Sequence, residues 1–469
     1  MSKYEGRLEN GEQPYVGFGW LKLRLPFIHY KWSLPETVIG FMVVFVLFAA
    51  KPLCMHLLGM TDAQANTVVF FQILLYCLHP LFGDMLVAGW VSPMIPLILA
   101  FVGGYTVGPE RAHALIAVQM WFALFCLVLG LTGLAKVVVR KIPVSIRAGI
   151  ILGAGIAALM QVFMLKQNPR FVTNFPIGLT VGMVLACYFV WSNTFNANCK
   201  KNNFMKAIQP YGLPIAFVGS ALASTIFGEI PFPNIATGLT QLDFGGLIKD
   251  FTIFGIGFPP LKIFLEAFPL GFLVYVAAYG DMLFGDQLIK ICDEKRDDEK
   301  CVPNPDRVHF VTGLRNLISC FIAPTPTMSG PYWTPLTAIV AERYMKGRDT
   351  MDSIYSGFGT IQWTFVIAAL IAPVWSLFSA SLGLILAVCF VAVAFVAFYM
   401  ALSMVKYVQQ QIVAVATAVV LAGMGPLQAL AIGFLLWFVL EFRLKTADRF
   451  PDHGVELFRE PIKLKEKDK

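Results

Sequence analysis

Charge is scarce in this sequence and missing over long stretches. Asp, Glu, Lys and Arg make up 14% of 469 residues, and none occurs between Asp352 and Lys406. Runs of that kind cannot clothe a soluble globule. Short segments alternating apolar and polar residues, which a membrane β-barrel requires, are also missing. So are the patterns of catalysis. There is no nucleophile elbow, no phosphate-cradling glycine loop and no metal-ligand cluster, and His29, His56, His79, His113, His309 and His453 are scattered. No enzyme is expected, and no cofactor or metal. The nine cysteines form no secreted framework, since most lie inside apolar runs where a small buried thiol is the default. Cys292 and Cys301 share a polar loop without a metal-binding spacing, and a reduced pair on the cytoplasmic side is expected. Met1 to Tyr30 lacks the pattern of a cleavable signal peptide.

What the sequence does have is apolar length. It is 57% hydrophobic, with a mean hydropathy of +0.69, and charge-free runs separate clusters of charge. This is the pattern of a polytopic all-α membrane protein. The net charge of +7 sits in loops and tails, where it orients the chain in the lipid bilayer. It is not read as nucleic-acid binding.

The stretch PTPTMSGPYWTPLTAIV, Pro324 to Val340, organises the rest. It lies in apolar sequence yet holds four prolines, a glycine, Thr325, Thr327 and Ser329. Proline removes a backbone donor and clashes with the preceding turn, so an extended piece from Thr325 to Ser329 is expected, then a half-helix from near Pro331. Broken backbone at membrane depth is tolerated only where protein or a watery cavity covers it. The positive end of a half-helix suits an anion or a polar carbonyl. Val87 to Val102, VAGWVSPMIPLILAFV, has the same grammar. Paired interrupted segments in corresponding halves of a chain point to a transporter with internal repeats.

The spans follow in order: about Leu34 to Cys54, Asn66 to Leu81, the interrupted Val87 to Val102, Ala112 to Lys136, Ile142 to Met160, Phe175 to Phe195 and Leu213 to Phe227. After a Gly/Pro-rich connector come Leu261 to Ile289, a short Phe310 to Phe321, the broken tenth element, Gly357 to Pro373, Ser379 to Met400, Gln410 to Met424 and Pro426 to Leu440. Gly149, Gly153 and Gly155 permit close helix approach in the fifth. Fourteen elements put both termini on one side. With the N-terminus cytoplasmic, the loops holding Lys136, Arg140 and Lys141, Lys200 to Lys206, Lys290 to Arg307, Arg343 to Arg348, and Lys406 all face the cytoplasm, as the positive-inside rule requires. Seven elements per half place the second half upside down relative to the first.

Four passages carry a family resemblance: Gly89 to Val102, Lys141 to Gly149 (KIPVSIRAG), Tyr275 to Asp286 (YVAAYGDMLFGD), and Gly313 to Asn316 (GLRN) leading into Pro324 to Pro331. Together, over about residues 34–440, they resemble the seven-plus-seven inverted-repeat superfamily of nucleobase–cation symporters (uracil/xanthine permeases) and sulfate permeases. The resemblance implies a cytoplasmic N-terminal segment (1–33), a core domain (34–138 and 261–375), a gate domain (139–228 and 376–441), a connector (229–260) and a cytoplasmic tail (442–469). It also implies alternating access, a bacterial inner-membrane location and a homodimer.

Asp281 interrupts an apolar run where the nucleobase permeases place a substrate- and proton-binding glutamate. An ionisable group inside a membrane is costly and usually functional. Asp281, with Asp286 five residues on, is therefore the candidate for coupling to H+ or Na+, although proximity to the charged loop would place both at the cytoplasmic surface. Candidate solute-binding residues are Trp90 and Ser92 in the third element, Tyr279 and Asp281 in the eighth, and Thr327, Ser329, Gly330 and Tyr332 in the tenth. The bland alternative is that Ser and Thr there only satisfy backbone and that the aromatics anchor helices. Gln72 and His79 either line the core or bond one helix to another. Asn316 matches the family's structural Asn, Arg315 is read as interfacial, and Lys51 as snorkelling. Ser329-Gly330-Pro331 matches neither the acidic-Asn pattern of the nucleobase branch nor the Ser/Arg/Thr pattern of the sulfate branch. The expected function is secondary transport of a nucleobase-like or other small planar anion. The alternatives are an inorganic or carboxylate anion, or an uncoupled anion channel.

Overall fold

The structure is a computed structural model that describes residues 10–134, 141–164, 171–208 and 211–441. Lys136, Arg140, Lys166, Arg170 and the tail 442–469 lie outside the described residues.

The chain opens with a hairpin, β1 (Val16–Phe18) against β2 (Leu21–Leu23). Helices then dominate: α1 (Leu34–Leu58) and α2 (Asp62–Phe82), strand β3 (Gly89–Trp90), α3 (Ile95–Gly103), α4 (Pro109–Thr132), α5 (Val144–Phe163), α6 (Pro176–Ala186) and α7 (Gly212–Ile226). A short helix α8 (Phe244–Phe251) precedes α9 (Leu261–Lys295) and α10 (Pro305–Ile322). Then come β4 (Ser329–Gly330), α11 (Thr334–Met345), α12 (Ile354–Leu370), α13 (Leu382–Met404), α14 (Val408–Gly423) and α15 (Pro426–Glu441). Among the described residues six helices are long and apolar enough to cross a membrane, seven if the bent pair starting at Pro176 counts as one span, and five shorter apolar helices accompany them. This is an all-α polytopic membrane fold.

Two packing groups are evident. α4 packs on α9 and α10, α1 on α12, and α2 on α12. Separately, α5 packs on α13 and α14, α6 on α7 and α13, and α14 on α15. The α5 glycines act as expected: a Cβ on Gly149 would meet Thr417 Cβ at 2.7 Å, and one on Gly153 the Ala418 carbonyl at 2.9 Å. Without side chains there, α5 and α14 approach backbone to backbone. The groups meet where α5 touches α3 and α9.

Several expectations are corrected. α10 starts at Pro305, not Phe310, because Asn304 caps it by accepting from the Arg307 amide at 3.0 Å. The half-helix starts at Thr334 rather than near Pro331, because the Trp333 amide donates to the Val87 carbonyl at 2.6 Å and keeps 331–333 out of the helix. The connector is not merely a loop. Its α8 lies on α2, where Asn66 Nδ2 donates to Gln241 O at 3.2 Å and Gln64 Nε2 to Asp250 Oδ2 at 3.0 Å. Residues 10–32 form an ordered cap: the Arg24 amide donates to Leu81 O at 2.8 Å, and its guanidinium lies 4.1 Å from the Tyr355 ring centroid. Lys51 does not snorkel freely, since its ammonium pairs with Asp62 Oδ1 at 2.6 Å.

Candidate functional site

The two interrupted segments meet. β3 and β4 pair antiparallel, Gly89 opposite Gly330 and Trp90 opposite Ser329. The two strands leave no room for a Cβ at either glycine: one on Gly330 would meet the Trp90 carbonyl carbon and oxygen at 2.8 Å, and one on Gly89 the Trp333 Cβ at 2.8 Å. Each strand leads into a half-helix, β3 through Ser92–Met94 into α3 and β4 into α11. Pro96 and Pro335 lie in the first turns of these half-helices, where a missing amide costs least.

Behind the crossing, α10, α4 and α2 supply polar side chains. Asn316 Nδ2 donates to Ser329 O at 2.8 Å, and its Oδ1 accepts from the Ser329 amide at 3.1 Å. Gln119 Nε2 donates to Asn316 Oδ1 at 3.2 Å, and its Oε1 accepts the Thr325 amide at 3.1 Å. Gln72 Nε2 donates to Thr327 Oγ1 at 2.7 Å, which lies 3.0 Å from Thr325 Oγ1. Thr325 and Thr327 are thus tied into the interior, fully buried, and Gln72 bonds to this extended segment rather than to another helix. Met328, with φ +45°, takes the left-handed turn that brings Ser329 round to β3.

Arg315 is not interfacial. It is fully buried, donates through Nη2 to the carbonyls of Ser329 (3.1 Å) and Gly330, and lies 4.9 Å from the Tyr76 ring centroid. Its Nε and Nη1 have no hydrogen-bond partner. No described carboxylate forms an ion pair with it; Asp84, whose field reaches it, is held by Arg307 at 2.7 Å. Trp90 Nε1 is also buried without a partner, and the Ser329 hydroxyl lies beside Tyr76. The crossing therefore carries an uncompensated positive charge and spare donors.

On the other side stands α9. Asp281, half-buried, accepts from Thr334 Oγ1 at 3.1 Å, joining α9 to the first turn of α11. Tyr332 packs where α9 has Gly285, whose Cβ would fall 2.0 Å from the Tyr332 ring. Tyr279 and Tyr332 are each 5% exposed, and Ser92 is half-buried. Asp286 is engaged by Lys290 at 2.6 Å, one turn toward the charged loop. From α5, Arg147 brings its charge within reach of Tyr279, and its buried Nε is unpartnered. A cation in the first turn of a helix opposes the dipole, and among the described residues no carboxylate forms an ion pair with Arg147.

The structure brings Trp90, Asp281, Ser329, Gly330 and Tyr332 to one crossing and leaves Asp286 paired outside it. Sequence reasoning passed over Arg147, although it lies in the quoted KIPVSIRAG passage. It misjudged Arg315, for which an arginine near the middle of a predicted span was the available signal.

The fold is thus a polytopic helical bundle with two interrupted segments paired inside it. No family model matches the sequence, and no curated protein does. Among solved structures, the chain is similar to the overall structure of SLC26A9, with a TM-score of 0.52 and 14% identity over 87% of this chain and 64% of that one. This chain therefore spans less than two thirds of that protein's length. It is also matched to the murine Slc26a9 anion transporter in the inward-facing state (TM-score 0.48, 14% identity, 87% and 68% covered). A further match is the transmembrane domain of the cyanobacterial bicarbonate transporter BicA (TM-score 0.48, 15% identity, 85% and 97% covered). What is shared is the fold.

Proposed function

We propose that the protein is a secondary transporter of a small anion, bound where β3 and β4 cross. The observation that carries this reading is Arg315: a fully buried guanidinium gripping the Ser329 and Gly330 carbonyls with two nitrogens unpartnered. Burying an unpaired charge is costly, and a ligand of opposite sign at the crossing offsets that cost. Arg147, on the facing helix α5, adds a second cation of the same kind. Anions transported by proteins of similar fold agree with this reading and move the preference from a nucleobase to an inorganic or carboxylate anion. A nucleobase-like solute is the second reading, favoured by the aromatic faces of Trp90 and Tyr332 beside the Asp281 carboxyl.

In this proposal the fourteen elements divide into inverted halves, α1 to α7 with β3 and α9 to α15 with β4. The α1–α4 and α9–α12 group is the core, the α5–α7 and α13–α15 group the gate, and sliding of one past the other exposes the crossing alternately. Asp281 carries the coupling proton or sodium ion.

The test is a thermal-shift screen of purified protein with sulfate, chloride, bicarbonate, oxalate, uracil and urate against a gluconate control. A ligand that binds only the folded state raises apparent stability by mass action. Stabilisation by an anion, lost in Arg315→Met, supports the reading. Stabilisation by uracil alone, retained in that variant, would move it to the second.

A further inference from the structure

Behind the crossing stands an acid–base group that the transport reading leaves unused. His79, near the end of α2, holds Asp84 Oδ2 through Nδ1 at 2.7 Å. The other Asp84 oxygen accepts from Arg307 Nε at 2.7 Å. The His79 and Asp84 side chains are fully buried. A carboxylate only accepts, so neutral His79 keeps its hydrogen on Nδ1 and presents a lone pair at Nε2. That atom is buried and has no hydrogen-bond partner.

The charged groups facing His79 are Asp84, from the loop after α2, and Arg307 and Arg315, both from α10. On its own helix Tyr76 lies one turn earlier, beneath Arg315. From α12, Tyr355 donates to Gly83 O at 2.7 Å, with Arg24 of the N-terminal cap stacked on its ring. A cavity of about 10 Å³, room for one water, is lined by Asp84, Arg307, Asp286 and Tyr332. Asp84 and Arg307 cancel, but Arg315 does not. A proton on Nε2 would add a second uncompensated positive charge to a buried cluster. An anion at the crossing, next to the carbonyls that Arg315 holds, removes that obstacle.

We propose that His79 is a proton-binding site linked to anion occupancy of the β3–β4 crossing: Nε2 takes up a proton as the anion binds and gives it back as the anion leaves. The inference rests on the anion reading above. Linkage is reciprocal, so a proton on His79 tightens anion binding by the factor by which the anion favours the proton, about tenfold for coupling of ordinary size. Asp281 lies in front of the crossing and His79 behind it, so the two groups are separable by mutation.

The experiment is calorimetric titration of the protein in nanodiscs with potassium sulfate, chloride and oxalate, in two buffers of different ionisation enthalpy, from pH 4 to 8. It counts protons taken up per anion bound. The wild type is expected to show uptake that passes through a maximum in this range. His79→Asn retains an amide donor toward Asp84; it should lose that uptake while still binding the anion, about threefold more weakly at the pH of the maximum and about tenfold at lower pH. Unchanged uptake in His79→Asn, or anion binding without proton uptake in the wild type, overturns the proposal and leaves the anion reading standing. If His79→Asn does not fold, the profile of Asp281→Asn decides, since a flat zero there overturns the proposal and a maximum supports it. Absence of binding by all three anions overturns the anion reading, and this inference with it.

Discussion

Gly330 lies opposite Gly89 in the antiparallel pairing of β3 with β4, at a separation that leaves no space for a Cβ on either. At Gly330 the obstruction is backbone, the Trp90 carbonyl and the Val91 amide nitrogen at 2.8–2.9 Å. Gly330→Ala should therefore separate the strands, destabilise the protein by about 1–3 kcal/mol as overpacking does, and abolish ligand-induced stabilisation. At Gly89 the first obstacle is the Trp333 Cβ, with its Cα at 3.1 Å, so Gly89→Ala should be the milder of the two. Melting curves of both variants, with and without ligand, check the order.

Arg315 supplies charge and also grips two carbonyls. Arg315→Met should remove anion-induced stabilisation entirely. Arg315→Lys keeps the charge but not the fork of donors, and should retain a reduced shift. Equal loss in both variants would mean that geometry, not charge, is what the anion requires.

Asp281 touches the half-helix through Thr334. Asp281→Asn keeps an oxygen for that hydroxyl but cannot ionise. In proteoliposomes it should preserve exchange of labelled anion across the membrane while losing accumulation driven by an ion gradient. Full gradient-driven accumulation in this variant would remove Asp281 from coupling.

Glu229, just past α7, caps α6 by accepting the Ile177 and Gly178 amides at 2.6 and 2.9 Å, with Ser224 as a third donor. Burial raises its pKa, but the three hydrogen bonds outweigh burial and hold it below the usual carboxylate range. A group with a depressed folded-state pKa contributes stability above its unfolded value and loses it as pH falls through the folded value. The melting temperature of the wild type should thus exceed that of Glu229→Gln by a constant margin from pH 6 to 8. The margin should close below about pH 4.3, the ordinary glutamate value.

The breaks were legible because proline and glycine act locally: Ser92-Pro93 and Ser329-Gly330-Pro331 interrupt apolar runs that would otherwise be helix. The start of α11 was misplaced by three residues because its determinant, the bond from Trp333 to Val87, joins distant parts of the chain. Asn316 was legible from its motif. Arg315 was not, because nothing adjacent in sequence reveals that its neighbours are Tyr76 and two carbonyls. His79 was weighed as a helix-to-helix bond. Its true partner is Asp84, in a loop whose other ligand, Arg307, comes from the second half. Patterning reports which residues face inward, not which charges face each other.

The pairing of β3 with β4 also constrains the order in which the protein is made. Gly89 and Trp90 are synthesised long before Ser329 and Gly330, so the first extended segment must wait at membrane depth with its amides and carbonyls unsatisfied, a state lipid does not tolerate. During translation it must remain in the insertion machinery or a hydrated cleft until the second half arrives. A ribosome stalled within the connector would leave a fragment marked for quality control, and the halves expressed as separate chains should accumulate only when made together.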